Sequence, residues 1–534
     1  MSLHDEETES GVKARYADES YPVGSWVDGE TVTRDIDESF DFVVVGTGAA
    51  GAVAAHTLTC AGFSVAMVEE GPWIKTREVG EDVYGIFKRA MRDGATQAIE
   101  GRAFMPLLQG RAVGGSTLVN SAIAWRTPAD VLHDWSKGFG LGDTLSEDAL
   151  APHFEALERD LSVKRVDDDV LGENNASFLS EARRRGMQAD AMKRYEKGCR
   201  GAARCLTGCP HGAKQGMNVS YVPWSLAKGA RLFSSCRVDK VIIENGSATG
   251  VLATTTHVFR AQATRKRVHL RARHGVFVAA STIQTPNVLR RSGLRSRDIG
   301  EHFQAHPGIA CGGVMSSPVH MEFGASQGAE SIHFRKTDGF KIETISMPPE
   351  LCAARMPGIG TELMDKLDRY PNVGVWAVQL RAEAKGTVRK GWGGRDVVNM
   401  TLTKNDLTRA RKALALMARM MFDLGAKEIW PGVHGLPSVM TSPDQVALID
   451  DAPLDPRAYG FVATHLFGAA RMGPDPRSSV VGLDFATHES KNLYVVDSSV
   501  FPTNLGVNPQ HSIMAIARCA AERVAAGSKR SAVA

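Results

Sequence analysis

Gly46, Gly48 and Gly51 stand in the run DFVVVGTGAAGAVAAHTLTCAGFSVAMVEEGP with the spacing at which a chain cradles a diphosphate. The first glycine allows a tight turn, the second lets backbone approach a pyrophosphate, and the third lets a helix lie close on a strand. N–H groups at that helix's start then face the phosphates. Glu69 stands about twenty residues on, where a carboxylate takes a ribose hydroxyl pair. Cys199, Cys205 and Cys209 form a second constellation, C-x5-C-x3-C with Pro210 after the last. Thiolates clustered in a glycine-containing loop can hold an iron-sulfur cluster; three buried thiols in a tight loop is the plainer alternative. Zinc would need a fourth ligand, and none is evident beyond His211. A third candidate is His465, whose neighbours Phe461, Val462, Leu466 and Phe467 form an apolar wall that would keep an imidazole unprotonated. On residue type alone, such a histidine is more often a satisfied core residue.

The elements that position the glycines can be read directly. Apolar residues run unbroken from Phe42 to Val45, as in a strand buried on both faces. AVAAHTLTCAG follows as a helix stopped by Gly62, and SVAMVE is a second strand ending at Glu69. This βαβ unit fits NAD, NADP and FAD equally. GRAVGGSTLVNSAIAWRTP, residues 110–128, has successive small residues, Gly114 and Gly115 among them, that let backbone pass a large flat group. Arg111, Ser116 and Asn120 offer it polar contacts. Further on, LTRARKALALMARMMFDLGA has apolar residues at helical spacing and a stop at Gly425, with its methionines as core filling.

The 110–128 segment resembles the first signature of the glucose-methanol-choline (GMC) family of FAD oxidoreductases. AASTIQTPNVLRRSGL (279–294) is similar to the second signature, and IGEHFQAHPG (299–308) to the segment after it. THLFGAARMG (464–473) resembles the family's His-x-x-Gly stretch, and residues 492–524 its C-terminal strand, turn and helix. The resemblance implies FAD as cofactor, with Val238 offering backbone to the adenine and Asp497 among the cofactor-binding residues. It makes His465 the base and Asn508, before Pro509, the second active-site group, with His511 a lower-ranked substitute. Asn508 also reads as a helix N-cap with Pro509 at N1. The implied fold is α/β: a Rossmann-type FAD-binding domain interleaved with an α+β substrate domain of antiparallel sheet and helices. Boundaries fall at 1–38 (an extended acidic arm), 39–309 (FAD-binding, first part), 310–460 (substrate-binding), 461–527 (FAD-binding, last part) and 528–534 (a tail). The cysteine loop is similar to that of multi-subunit FAD sugar dehydrogenases in the family.

Composition limits the partners. The 534 residues are 43% hydrophobic and 23% charged with a formal net charge of +3, ordinary for a globular enzyme. Near-balanced charge predicts no nucleic-acid partner, and the basic run Arg260–His274 suits the wet face of a β-hairpin. No apolar stretch is long enough for a membrane span, which predicts a cytoplasmic protein. Of the eight cysteines, Cys60, Cys236, Cys311, Cys352 and Cys519 read as small core hydrophobes. The expected activity is oxidation of a small-molecule alcohol, with oxygen, a quinone or an acceptor protein reoxidising the flavin. Two alternatives stand beside it: a sugar or polyol dehydrogenase subunit wired through an iron-sulfur cluster, and a lyase or photodecarboxylase on the same scaffold.

Overall fold

Phe42–Val45, apolar on both faces, lies at the middle of a sheet and is shielded on both sides. The computed structural model describes residues 16–80, 82–259 and 265–533. Among them a nine-stranded sheet has a parallel centre in the order Arg231–Ser234, Val65–Val68, Ile36–Val45, Arg267–Val278, Ser490–Val495. Helix Ala49–Cys60 packs on this centre, followed by Gly62 at φ +94°. Its last residue, Cys60, is exposed rather than in the core as expected, because the helix ends there in a turn whose Gly62 lies at the surface.

Strands Ser247–Thr255 and Arg267–Val278 pair antiparallel, so the basic run does lie on a hairpin, with residues 260–264 outside the described residues. Three of its cations are paired in place: Arg267 meets Asp35 at 3.0 Å, Arg271 meets Asp37, and Arg273 meets Asp41 at 2.9 Å. Of the expected N-terminal arm, residues 1–15 lie outside the described residues. The rest is built in: Trp26–Asp28 pairs with Arg231–Ser234 as a parallel edge strand, and Lys75 Nζ donates to the Asp18 carbonyl at 2.8 Å. At the other end, helix Gln510–Val533 continues through most of the expected tail.

A second, seven-stranded sheet is antiparallel throughout: Glu428–Trp430, Gln304–Val314, Val373–Leu380, Phe340–Thr344, Ala329–Ser331 and Ala189–Ala191, with Val462–Phe467 also paired to Gln304–Val314. Helix Lys404–Asp423 packs on it. Thr403 Oγ1 caps its start by accepting from the Asp406 N–H at 3.1 Å, and Gly425, at φ +84°, ends it. Met417, Met420 and Met421 are fully buried there, as core filling requires. Each sheet has its own hydrophobic core. The register puts His465 opposite His306, Ala377 opposite Ala310, and Trp430 opposite Gly312.

Candidate active site

A cavity of about 1060 Å³ is lined by residues of both sheets. At its dinucleotide end Gly46, Gly51 and Gly115 have no room for side chains. A Cβ on Gly46, at φ +93°, would lie 2.3 Å from the Ala279 carbonyl oxygen, and one on Gly51 1.9 Å from that of Gly46. A Cβ on Gly115 would lie 2.9 Å from Gly48 Cα, whereas one on Gly48 meets nothing closer than 3.9 Å. Gly48 is therefore the glycine with open space beside its backbone, as approach to a pyrophosphate requires. This cradle fits a dinucleotide.

Gly46, Gly48, Glu69, Gly115, Ser116 and Asn120 line the cavity, as do Val238 and Asp497. Gly51, Gly114 and Arg111 do not. Gly51 packs helix on strand, the Gly114 N–H donates to Thr47 Oγ1 at 3.1 Å, and the Arg111 N–H donates to the Ala90 carbonyl at 2.6 Å. Glu69 is engaged by protein: Oε2 accepts from the Thr47 N–H (3.0 Å) and hydroxyl (2.8 Å), and Oε1 from the Gly71 N–H (2.9 Å). Oε2 thus accepts twice, whereas Oε1 keeps a second lone pair for a ribose. Asn120 donates to Gln510 Oε1 at 2.6 Å, tying the glycine segment to the C-terminal helix. Asp497 accepts from the Ser281 N–H at 3.0 Å and from the Ser499 N–H at 2.8 Å, holding the two cofactor-side turns together.

His465 and Asn508 line the same cavity. Burial pushes the His465 ring down to about 4, partly offset by Glu343 and reinforced by Lys341. His306 lies beside it, its ring 5.4 Å away and nearly perpendicular. The Gly506 N–H donates to His306 Nε2 at 2.9 Å. Burial and the neighbouring His465 hold His306 well below its ordinary pKa, so the ring is neutral and its proton sits on Nδ1. That N–H faces His465 Nδ1 at 3.3 Å and the Gln379 side-chain amide at 2.9 Å. Gln379 Oε1 is buried with no other partner; turning the amide about its last torsion lets it accept the His306 proton. Among the described residues no partner meets His465 Nε2, the nitrogen left for a ligand.

Asn508 is not the helix N-cap. Pro509 directly precedes the first helical residue, Gln510, and Asn508 Oδ1 accepts instead from Lys341 Nζ at 2.6 Å. A charge-assisted bond to an ammonium outcompetes a cap N–H. Lys341 is fully buried between Glu330 (2.5 Å) and Glu343 (2.6 Å). Burial opposes its charge, but the two carboxylates outweigh that and raise its pKa; burial likewise opposes the charge on Glu343, which Lys341 nonetheless holds ionised below the ordinary range. Lys341, Glu330, Glu343, His306 and Gln379 were not singled out by sequence. One signal was present: in FKIET, Lys341 and Glu343 alternate with apolar residues and so share one strand face. His511 does not line the cavity; it packs against Phe154 and Tyr195, with Nε2 3.4 Å from Glu158 Oε1.

Cys199, Cys205 and Cys209 carried two readings, iron-sulfur ligands or three thiols in a tight loop. All three are free thiols, and among the described residues no set of three or more His, Cys, Asp or Glu side chains converges as metal ligands do. Arg194 and Lys214 pack against the same loop. Arg194 Nη2 donates to Cys205 Sγ at 3.1 Å, and Lys214 Nζ donates to the carbonyls of Leu118, Asn120 and Cys205, each at 2.7 Å. No described helix is long and apolar enough to cross a membrane.

Two parts of the chain, residues 40–308 and 389–517, match the GMC oxidoreductase family. An uncharacterized GMC-type oxidoreductase of Mycobacterium tuberculosis is 34% identical over 505 residues, covering 93% of this chain and 77% of the relative. A long-chain-alcohol oxidase of Arabidopsis thaliana is 25% identical, covering 91% of this chain and 66% of its own. Among solved structures, formate oxidase of Aspergillus oryzae superposes with a TM-score of 0.71 at 16% identity, covering 93% of this chain and 100% of that one.

Proposed function

The chain belongs to the GMC oxidoreductase family, FAD-dependent enzymes that oxidise CH–OH groups, and we propose that its own substrate is an alcohol with an apolar body, deprotonated by His465. FAD, when bound, supplies the acceptor for the hydride that leaves the carbinol carbon. The remaining work belongs to protein side chains.

The observation that carries the reading is the convergence of His465 and Asn508 on one cavity, with His465 Nε2 free of partners among the described residues. Taking the hydroxyl proton on Nε2 requires the His465 ring proton to sit on Nδ1. His306 must then give its own Nδ1 proton to Gln379, the arrangement that satisfies Gln379 Oε1. Asn508 donates an amide N–H to the alcohol oxygen, countering the negative charge that builds there as the proton departs. Gly46, Gly48, Gly115, Ser116, Asn120 and Asp497 would hold the cofactor in the same cavity as this pair, and residues 310–460 would form the substrate-facing part of an interleaved two-domain chain.

The apolar body is read from the sheet face beyond His306. Gly308, Ala310 and Gly312 floor a trough that Ala377, Val375 and Trp430 wall. From His306 to Gly312, six residue steps of strand extend about 20 Å. A sugar would lay several hydroxyls against that face without partners, each costing roughly 1–3 kcal/mol. The likeness to a long-chain-alcohol oxidase points the same way. The test is anaerobic titration of the purified holoenzyme with primary alcohols of rising apolar length and, separately, with hexoses. Bleaching of the flavin absorbance by the alcohols supports the reading, and bleaching by the hexoses alone removes it.

A further inference from the structure

Lys341 takes no part in the steps above, yet its ammonium is buried completely and spends its three donors on three acceptors: Glu330 Oε2, Glu343 Oε1 and Asn508 Oδ1. Both carboxylates are themselves anchored. Trp125 Nε1–H donates to Glu330 Oε2 at 2.9 Å, and Gln327 donates to Glu343 Oε2 at 2.8 Å. The ammonium therefore sits in a fixed seat. Lys341 is not among the residues lining the cavity, whereas Asn508 and Glu343, two of its three partners, are, so Lys341 acts on a ligand only through groups it touches or charges it faces, and Asn508 is the one that can donate to a substrate oxygen.

An ammonium has three N–H bonds and no acceptor. The atom of Asn508 that faces it at 2.6 Å can only be the carbonyl oxygen. The two faces of a side-chain amide are almost the same shape, and only the hydrogen-bond partners decide which end points where. We propose that Lys341 is the positioning residue of Asn508: it holds the amide with its oxygen turned into the protein, so that an N–H is left to meet the substrate oxygen. Glu343 also lies against the amide, but the amide carries two N–H bonds, and a contact with one leaves the other for the substrate. Without Lys341 the amide could turn over and present an oxygen, an acceptor, to the atom on which negative charge develops. Glu330 and Glu343 are then the seat of the ammonium, and of the two Glu343 is the carboxylate that favours the cation forming on His465.

This inference rests on the reading that Asn508 meets the alcohol oxygen, and a double-mutant cycle separates the two. Removing the ammonium alone would leave Glu330 and Glu343 uncompensated, so the variant is K341M/E330Q, checked for flavin content and circular dichroism. It is compared with N508A and with N508A/K341M/E330Q. Two quantities are read on the holoenzymes: the rate of anaerobic flavin reduction by an apolar primary alcohol, and, by calorimetry, the dissociation constant of a matching tertiary alcohol, which has no carbinol hydrogen to lose. N508A is expected to slow reduction about a hundredfold and K341M/E330Q about ten- to a hundredfold, with tertiary-alcohol affinity falling about fivefold in each. In the N508A background the Lys341 change should add less than about twofold to either quantity, because contacts that act as one unit are not additive. Losses that multiply in the combined variant would overturn the role of Lys341 and leave the alcohol reading standing. N508D keeps an oxygen toward Lys341 and has no N–H; reduction at the wild-type rate would overturn the proposal even if the Lys341 variants did not fold. Failure of every alcohol to reduce the wild-type flavin would overturn both.

Discussion

The pH at which activity fails should report the burial of His465. Its ring is pushed from the ordinary 6.5 down to about 4, a bias of about 3 kcal/mol toward the neutral form. At pH 7 only about one ring in a thousand is then protonated, so the base is ready throughout the neutral range. For an alcohol that does not itself ionise, kcat/KM should be flat above about pH 6 and fall about tenfold per pH unit below about pH 4. The assay is initial rate at low substrate across that range, with flavin absorbance confirming that cofactor stays bound. His465→Gln should lower kcat/KM about 10²- to 10⁴-fold and abolish the acidic limb. A limb centred near 6.5 would refute the burial argument, and a limb that survives in His465→Gln would remove His465 as the base.

Gln379→Leu leaves the His306 Nδ1 proton no acceptor but His465 Nδ1, which forces the His465 proton onto Nε2; kcat should fall about tenfold or more with flavin fully bound, and an unchanged kcat would contradict the tautomer assignment. Gly115→Val puts a branched side chain at φ +54° where a Cβ already lies 2.9 Å from Gly48 Cα, so flavin absorbance per protein after gel filtration should drop severely, and full retention would count against the cradle. Ala377→Phe fills the trough opposite Ala310; the preferred alcohol should shorten, each methylene that no longer fits forfeiting about three- to fourfold in kcat/KM, and an unaltered length profile would place the substrate elsewhere.

What the sequence disclosed and what it withheld divide along chemical lines. The turn at Gly46–Gly51 was legible because sterics leave almost no other residue there, and the strand Phe42–Val45 because burial on both faces forbids polar residues. The His465–Asn508 pair was legible through local motifs at both positions. Lys341, Glu330 and Glu343 were not, because they come from two strands whose pairing no local pattern specifies, Glu330 meeting Glu343 only through sheet register. The N-cap reading of Asn508 failed for the same reason, since a distant ammonium outbid the local backbone. The surroundings of the cysteine loop were not legible, because thiol spacing carries no sign of the Arg194 and Lys214 charges packed against it.

The central claim is that an alcohol loses a hydride from its carbinol carbon inside this cavity while His465 holds the hydroxyl proton. Anaerobic stopped-flow mixing of the holoenzyme with an apolar primary alcohol, protiated or deuterated at the carbinol carbon, tests it most directly. The account predicts complete bleaching of the oxidised flavin band, slowed several-fold by deuteration as breaking a C–H bond in the rate-limiting step requires. A flavin that stays oxidised with every alcohol tried would contradict it.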